Sequence, residues 1–168
     1  MTYFDTIATG LTQAVPFVRT LGLEFVELSA ERAVLRLPDD AAVHNHVGGP
    51  HAGALFTLGE SATGAIVLGS FADLLDTVTP FVSGAQIRYR ALARGAVTAE
   101  ATLATPAAQV RETVATAGRA HFDVQVVLRD SAGTVTGEMT VTWALRPNAP
   151  EDGTSTSASV NSAPTPRR

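Results

Sequence analysis

The 168-residue sequence contains no cysteine. That excludes disulfides, a thiol nucleophile and any cysteine-ligated metal centre, and it suits a reducing, cytoplasmic setting. Cations are scarce as well: 12 Lys+Arg stand against 16 Asp+Glu, for a formal charge of -4, and no basic run occurs before the terminal Arg167-Arg168. The electrostatic footprint of a nucleic-acid binder is therefore missing. The opening segment "MTYFDTIATGLTQAVPFV" lacks a basic n-region and places Asp5 where a signal peptide wants a cation, so a mature N-terminal helix is expected.

What remains is ordinary globular material, 45% hydrophobic and 17% charged, of a length that fits one core. One domain over residues 1–146 is expected. The remainder, 147–168, is Pro/Ser/Thr-rich without apolar period, and it reads as a disordered tail. One long apolar run, Ala52 to Ala72, invites a membrane reading, but Glu60 sits near its middle, glycines interrupt it and neither flank is basic. A buried helix of a globular core is the better account.

Along the chain, Tyr3 to Thr20 has helical apolar spacing (Phe4, Ile7, Leu11, Val15) that Pro16 should end or kink. "LEFVEL" at Leu23 to Leu28 and "RAVLRL" at Arg32 to Leu37 read as strands joined by a turn. After the long helix, four segments alternate with period two: "SGAQIRYRA", with Ala85, Ile87 and Tyr89 on the buried face, then "AVTAEATLA", then Ala120 to Leu128 and Val135 to Leu145. "AAQVRETVATA", between Pro106 and Gly118, is compatible with a short helix or a loop. A single antiparallel sheet wrapping one nearly all-apolar helix is the economical α+β packing, and a homodimer would cover the apolar surface left over.

The chemistry concentrates in "HNHVGGPHAGALFTLGE", His44 to Glu60. A helix beginning near His51 puts Ala52 and Gly53 in its first turn, where unpaired N–H groups and the positive dipole end suit an oxyanion. Gly53, Thr57, Glu60, Ser61 and Gly64 share one side of that helix. A substrate in the groove alongside could then meet both the amides and Glu60. Burial disfavours an ionised carboxylate, which suits Glu60 to act as general base or nucleophile. The alternative is a structural carboxylate paired with Arg88 or Arg90. His51 serves either the helix start or catalysis; Asn45 serves a turn unless the site uses it. His44, His46 and His51 lack metal-ligand spacing, so no metal and no cofactor are expected.

The series Asn45, His51-Ala52-Gly53, Glu60 resembles the Asn…His-Gly-Gly…Asp/Glu pattern of hotdog-fold acyl-CoA thioesterases of the PaaI-like type. The resemblance spans roughly residues 20–146, with alanine at the first glycine of the pair and Glu in place of the commoner Asp. It implies the hotdog fold and hydrolysis of an acyl-coenzyme A. Glu60 would be base or nucleophile, the Ala52 N–H with Gly53 the oxyanion site, and Asn45 the group orienting water or the carbonyl, with His51 supporting. It further implies a homodimer, possibly assembled into a tetramer, whose sites pair Glu60 of one subunit with Asn45 of the other. Thr63 and Gly64 are candidate substrate contacts, and Arg88 and Arg90 candidate contacts for coenzyme A phosphates. Phe56, Phe71 and Phe81 are candidate floors of the acyl pocket. Two other readings stay open: a hotdog dehydratase using His46 and Glu60, although the Pro-rich segment after the histidine is missing, and a non-catalytic acyl-CoA-binding module.

Overall fold

The computed structural model describes residues 3–148. The chain order is α1 (Tyr3–Ala14), α2 (Pro16–Thr20), β1 (Glu24–Leu28), β2 (Ala33–Leu37), α3 (Ala52–Phe71), β3 (Val78–Tyr89), β4 (Val97–Leu103), α4 (Ala107–Ala117), β5 (Ala120–Arg129) and β6 (Val135–Pro147). Pro16 separates α1 from α2 as expected, because a proline cannot donate the amide that would continue the first helix. The segment after Pro106 is helical and closes on Gly118, whose φ of 70° makes the left-handed cap that glycine tolerates best.

All six strands form one antiparallel sheet in the order β1-β2-β4-β5-β6-β3. Alternate residues of β4 and β5 point inward, so that Val97, Ala99, Ala101, Phe122, Val124, Val126 and Leu128 are buried. Helix α3 lies across this face. Nearly every side of it is apolar, and Leu58, Ala62, Ile66, Val67 and Phe71 have no exposed surface. By length and composition alone α3 could cross a bilayer, yet its apolar surface is spent on the chain's own sheet.

Two polar side chains buried along α3 are paired rather than stranded. Ser70 Oγ donates to Ala30 O at 2.8 Å. Thr63 Oγ1 donates to Glu60 O at 2.7 Å and accepts from Trp143 Nε1 at 3.0 Å. Beyond its end, Arg111 of α4 holds Asp73 at 2.6 Å and lies 5.6 Å from the centre of the Phe71 ring, fastening the β4–β5 crossover to the core.

Strand β3 departs from its sequence pattern. It begins at Val78, earlier than the alternation from Ser83 suggests, and pairs with β6 as far as Pro147. Of its supposed inward residues only Ile87 is half-buried, while Ala85 and Tyr89 are exposed. The strand is the sheet's edge, and within one chain α3 does not cover it. Pro147 and Asn148 stay attached: Asn148 N donates to Thr77 O at 2.9 Å and its Nδ2 to Leu75 O at 3.1 Å. The rest of the expected tail lies outside the described residues.

Leu58 is fully buried against the sheet, so Leu58→Ala is expected to destabilise the fold by about 2–5 kcal/mol in urea unfolding. A loss below about 0.5 kcal/mol, the size of a surface effect, would contradict this packing.

Candidate active site

A compact turn delivers the start of α3. Asn45 Oδ1 accepts from Val47 N at 3.0 Å and Gly49 N at 3.3 Å, Asn45 Nδ2 donates to Pro50 O at 3.3 Å, and His51 N donates to Val43 O at 2.8 Å. Within one chain the Asn45 amide thus holds its own turn. Gly49 fits because a Cβ there would lie 2.8 Å from Ala93 O, and Gly48 supplies a φ of 77°.

His51 caps the helix. Its backbone is extended, and its Nδ1 accepts from Gly53 N at 2.9 Å, which occupies the Gly53 amide. Of the two amides expected to polarise a substrate, only the Ala52 N–H lacks an acceptor among the described residues. The Tyr89 hydroxyl, which sequence alone placed on a buried face, donates to Ala52 O at 2.9 Å and ties the helix start to the far end of β3.

Glu60 sits in a different place. Its half-buried carboxylate opens into a cleft of about 240 Å³ between α3 and the N-terminal helices, walled by Leu11, Val15, Val18, Phe25, Leu68 and Trp143, with Ser61, Gly64 and Pro80 also at its surface. Among the described residues it forms no ion pair. Arg90 is engaged by Glu138 at 2.6 Å, and Arg88 lies on the outer face of the sheet beside Gln86 and Glu138. The structural pairing of Glu60 with either arginine is not found.

The solvent-poor cleft raises the Glu60 pKa above its ordinary 4.5.

Several expected contacts fall elsewhere. Thr63 is fully buried with its hydroxyl saturated, so it positions Trp143 rather than facing a ligand. Gly64 does face the cleft, and its bare Cα leaves space in front of the Trp143 ring, 3.8 Å from where a Cβ would stand. Phe71 is sealed in the core, Phe56 lines a groove beside the helix start, and Phe81 is exposed on the edge strand, so none of them floors the Glu60 cleft. The walls contributed by α1, α2 and Trp143 were not singled out from sequence, although Leu11 and Val15 belong to the apolar stripe of the first helix. His46 is exposed in its loop and does not line the cleft.

The helix start and the acid therefore serve separate grooves of one chain. Ala52 and Asn45 line one with Tyr89 and Arg90, His51 and Gly53 another with Phe17 and Phe56, and Glu60 the third. Eight residues part Ala52 from Glu60, about 12 Å along the axis at about 1.5 Å per residue. A single groove holding both, as the helical wheel suggested, is not present in one chain.

This architecture has clear relatives among solved structures. A Pseudomonas aeruginosa protein of unknown function, described as a probable thioesterase, superposes with a TM-score of 0.78 at 29% identity over 88% of this chain and 97% of its own. A thioesterase family protein from Silicibacter pomeroyi gives 0.70 at 18% identity over 86% and 99%. The E. coli PaaI protein of the phenylacetic acid degradation operon gives 0.66 at 14% over 85% and 92%. Sheet, central helix and structural relatives define the class: a hotdog-fold protein. Within it, the chain belongs to the family described as a domain of unknown function, DUF4442, which matches residues 5–145. None of the curated proteins matches the chain.

With its pKa raised, folded Glu60 keeps its proton to higher pH than the unfolded chain does, so stability falls as pH rises from 4.5 through the raised value. Glu60→Gln should therefore melt at a higher temperature than wild type near about pH 8, with the gap closing near about pH 4, where both side chains are neutral. A variant that melts no higher at the alkaline end would contradict the desolvated carboxylate.

Proposed function

We propose that the protein is a thioester hydrolase acting on an acyl-coenzyme A. The observation that carries this reading is the Glu60 carboxylate, without a counter-ion among the described residues, at the polar end of an otherwise apolar cleft. Glu60 takes a proton from water, and the oxygen of that water bonds to the thioester carbonyl carbon. The oxyanion accepts from the Ala52 N–H. When the tetrahedral centre collapses the C–S bond breaks, and the thiolate recovers a proton, releasing coenzyme A and a carboxylic acid. Direct attack by Glu60, through an anhydride that water then opens, uses the same residues.

The reaction needs two copies of the chain. Strand β3 presents a free edge of 12 residues with Phe81, Val82 and Tyr89 exposed, a surface that a second sheet would cover. Pro80, near one end of β3, lines the Glu60 cleft, and Tyr89, at the other end, holds the Ala52 carbonyl. Antiparallel pairing of two β3 edges about a twofold axis sets the Pro80 end of one beside the Tyr89 end of the other. Each Glu60 then approaches the partner's helix start, and the partner's Asn45 turn lies beside it. Arg90, in the groove by the helix start, is the basic side chain best placed for coenzyme A phosphates, once released from Glu138. The relative described as a probable thioesterase agrees with this chemistry.

Free-thiol release from a panel of acyl-coenzyme A substrates tests the reading. Glu60→Gln is expected to lower kcat by about 10²–10⁴ with the fold intact. Ala52→Pro deletes one N–H at the first helical position, which accepts proline, and the preceding His51 already has the ψ of 142° that a following proline prefers. It should lower kcat by about 10²–10³. Unchanged turnover in Glu60→Gln would end the proposal, and tight binding without turnover in the wild type would point to a binding module instead.

A further inference from the structure

A second cavity adjoins the Glu60 cleft, sharing part of its wall. It measures about 220 Å³ and is lined by Ile7, Gly10, Leu11, Ala14, Leu68, Ala72 and Leu75, with no titratable side chain among them. The two cavities share two residues, Leu11 of α1 and Leu68 of α3. Residues later in α1 meet residues earlier in α3, so the helices run antiparallel and the groove between them leads from Glu60 past Leu68 toward Leu75. Along it, Glu60 and Ser61 mark one polar end and everything beyond is apolar.

We infer that this groove is a two-compartment acyl channel, and that the Leu11–Leu68 pair is the partition that sets how long an acyl chain the protein accepts. The inference takes its occupant from the thioesterase reading. Only a chain attached to the reacting carbonyl must begin at Glu60 and continue into a space without polar partners. A saturated chain fits such walls, because a polar or charged acyl group would lose its hydration there with nothing in return.

Size sets the preference. The two compartments are of similar size, about 240 and 220 Å³, so passing the partition roughly doubles the apolar space open to an acyl chain. With the partition closed, a medium-length chain fills its space, whereas a longer one must force Leu11 and Leu68 apart or leave its tail in water. Gly10, where an added Cβ would meet nothing within 4 Å, keeps the second compartment open behind the partition.

The test uses the full chain with Leu11→Ala and, separately, Leu68→Ala, which remove the partition from opposite helices. In thiol-release assays the wild type should prefer octanoyl-coenzyme A, and either variant should gain at least about tenfold in kcat/KM for the palmitoyl relative to the octanoyl substrate, a change of about 1.4 kcal/mol. A parallel readout needs no turnover. Trp143, the sole tryptophan of the sequence, walls the first compartment, so its emission should report binding of octyl and hexadecyl thioether analogues of acyl-coenzyme A.

If either variant shifts binding or turnover toward the longer chain, the partition is supported. Should the analogues bind with that shift while no substrate is hydrolysed, the channel stands and the hydrolase reading falls. Hydrolysis with the same chain-length profile in wild type and in both folded variants would overturn the channel and leave the hydrolase reading untouched.

Discussion

The burial of α3 is the constraint on which the rest of the molecule depends. Twenty residues of helix carry a single charge, and no face of that helix is polar enough to stay in water. An antiparallel sheet with one apolar face can wrap such a helix, and β2, β4, β5 and β6 do so with alternating inward side chains. Having surrendered its solvent, the helix can hold a carboxylate only where the wrapping is incomplete. That place is the side facing α1, and there Glu60 stands at the rim of a cleft with its pKa pushed up by desolvation. Keeping an acid with no partner among the described residues beside a core is what a stability optimum would avoid and what the proposed general base requires.

The same packing explains why the site is divided. A straight helix carries its free amides at one end and Glu60 more than two turns away, and the sheet keeps the intervening turns buried. The two groups open onto separate grooves. In the proposed dimer strand β3 would link them across copies, since one of its ends touches the acid's cleft and the other holds the helix start through Tyr89. Its exposed edge, an aggregation hazard in an isolated chain, is the seam the proposed dimer would use.

Much of this was legible in the residues, and the failures have physical causes. The long helix, the break at Pro16 and the alternation of β4, β5 and β6 followed from apolar periodicity, which burial enforces directly. Strand β3 was read short, and its inner face, correctly assigned to Ala85, Ile87 and Tyr89, is left largely exposed within one chain. Pro80 masks its first residues as a turn, and an edge strand's burial depends on a partner that periodicity within one chain does not reveal. At the site, Glu60 was recognisable as the lone charge in an apolar run. The occupied Gly53 amide and the saturated Thr63 hydroxyl were not, because each depends on where one side chain's lone pair points. The cleft walls escaped for a different reason: Leu11 and Val15 meet α3 only through tertiary packing of segments about fifty residues apart in sequence.

The proposed division of the site between two chains is most directly tested by mixing two inactive proteins. Glu60→Gln and Ala52→Pro, unfolded together and refolded, should yield mixed dimers in which one site receives both intact groups and the other neither. Half the dimers being mixed, turnover should recover to about a quarter of wild type. A refolded mixture as inactive as its two parents would show that acid and amide must come from the same chain, and would contradict the account.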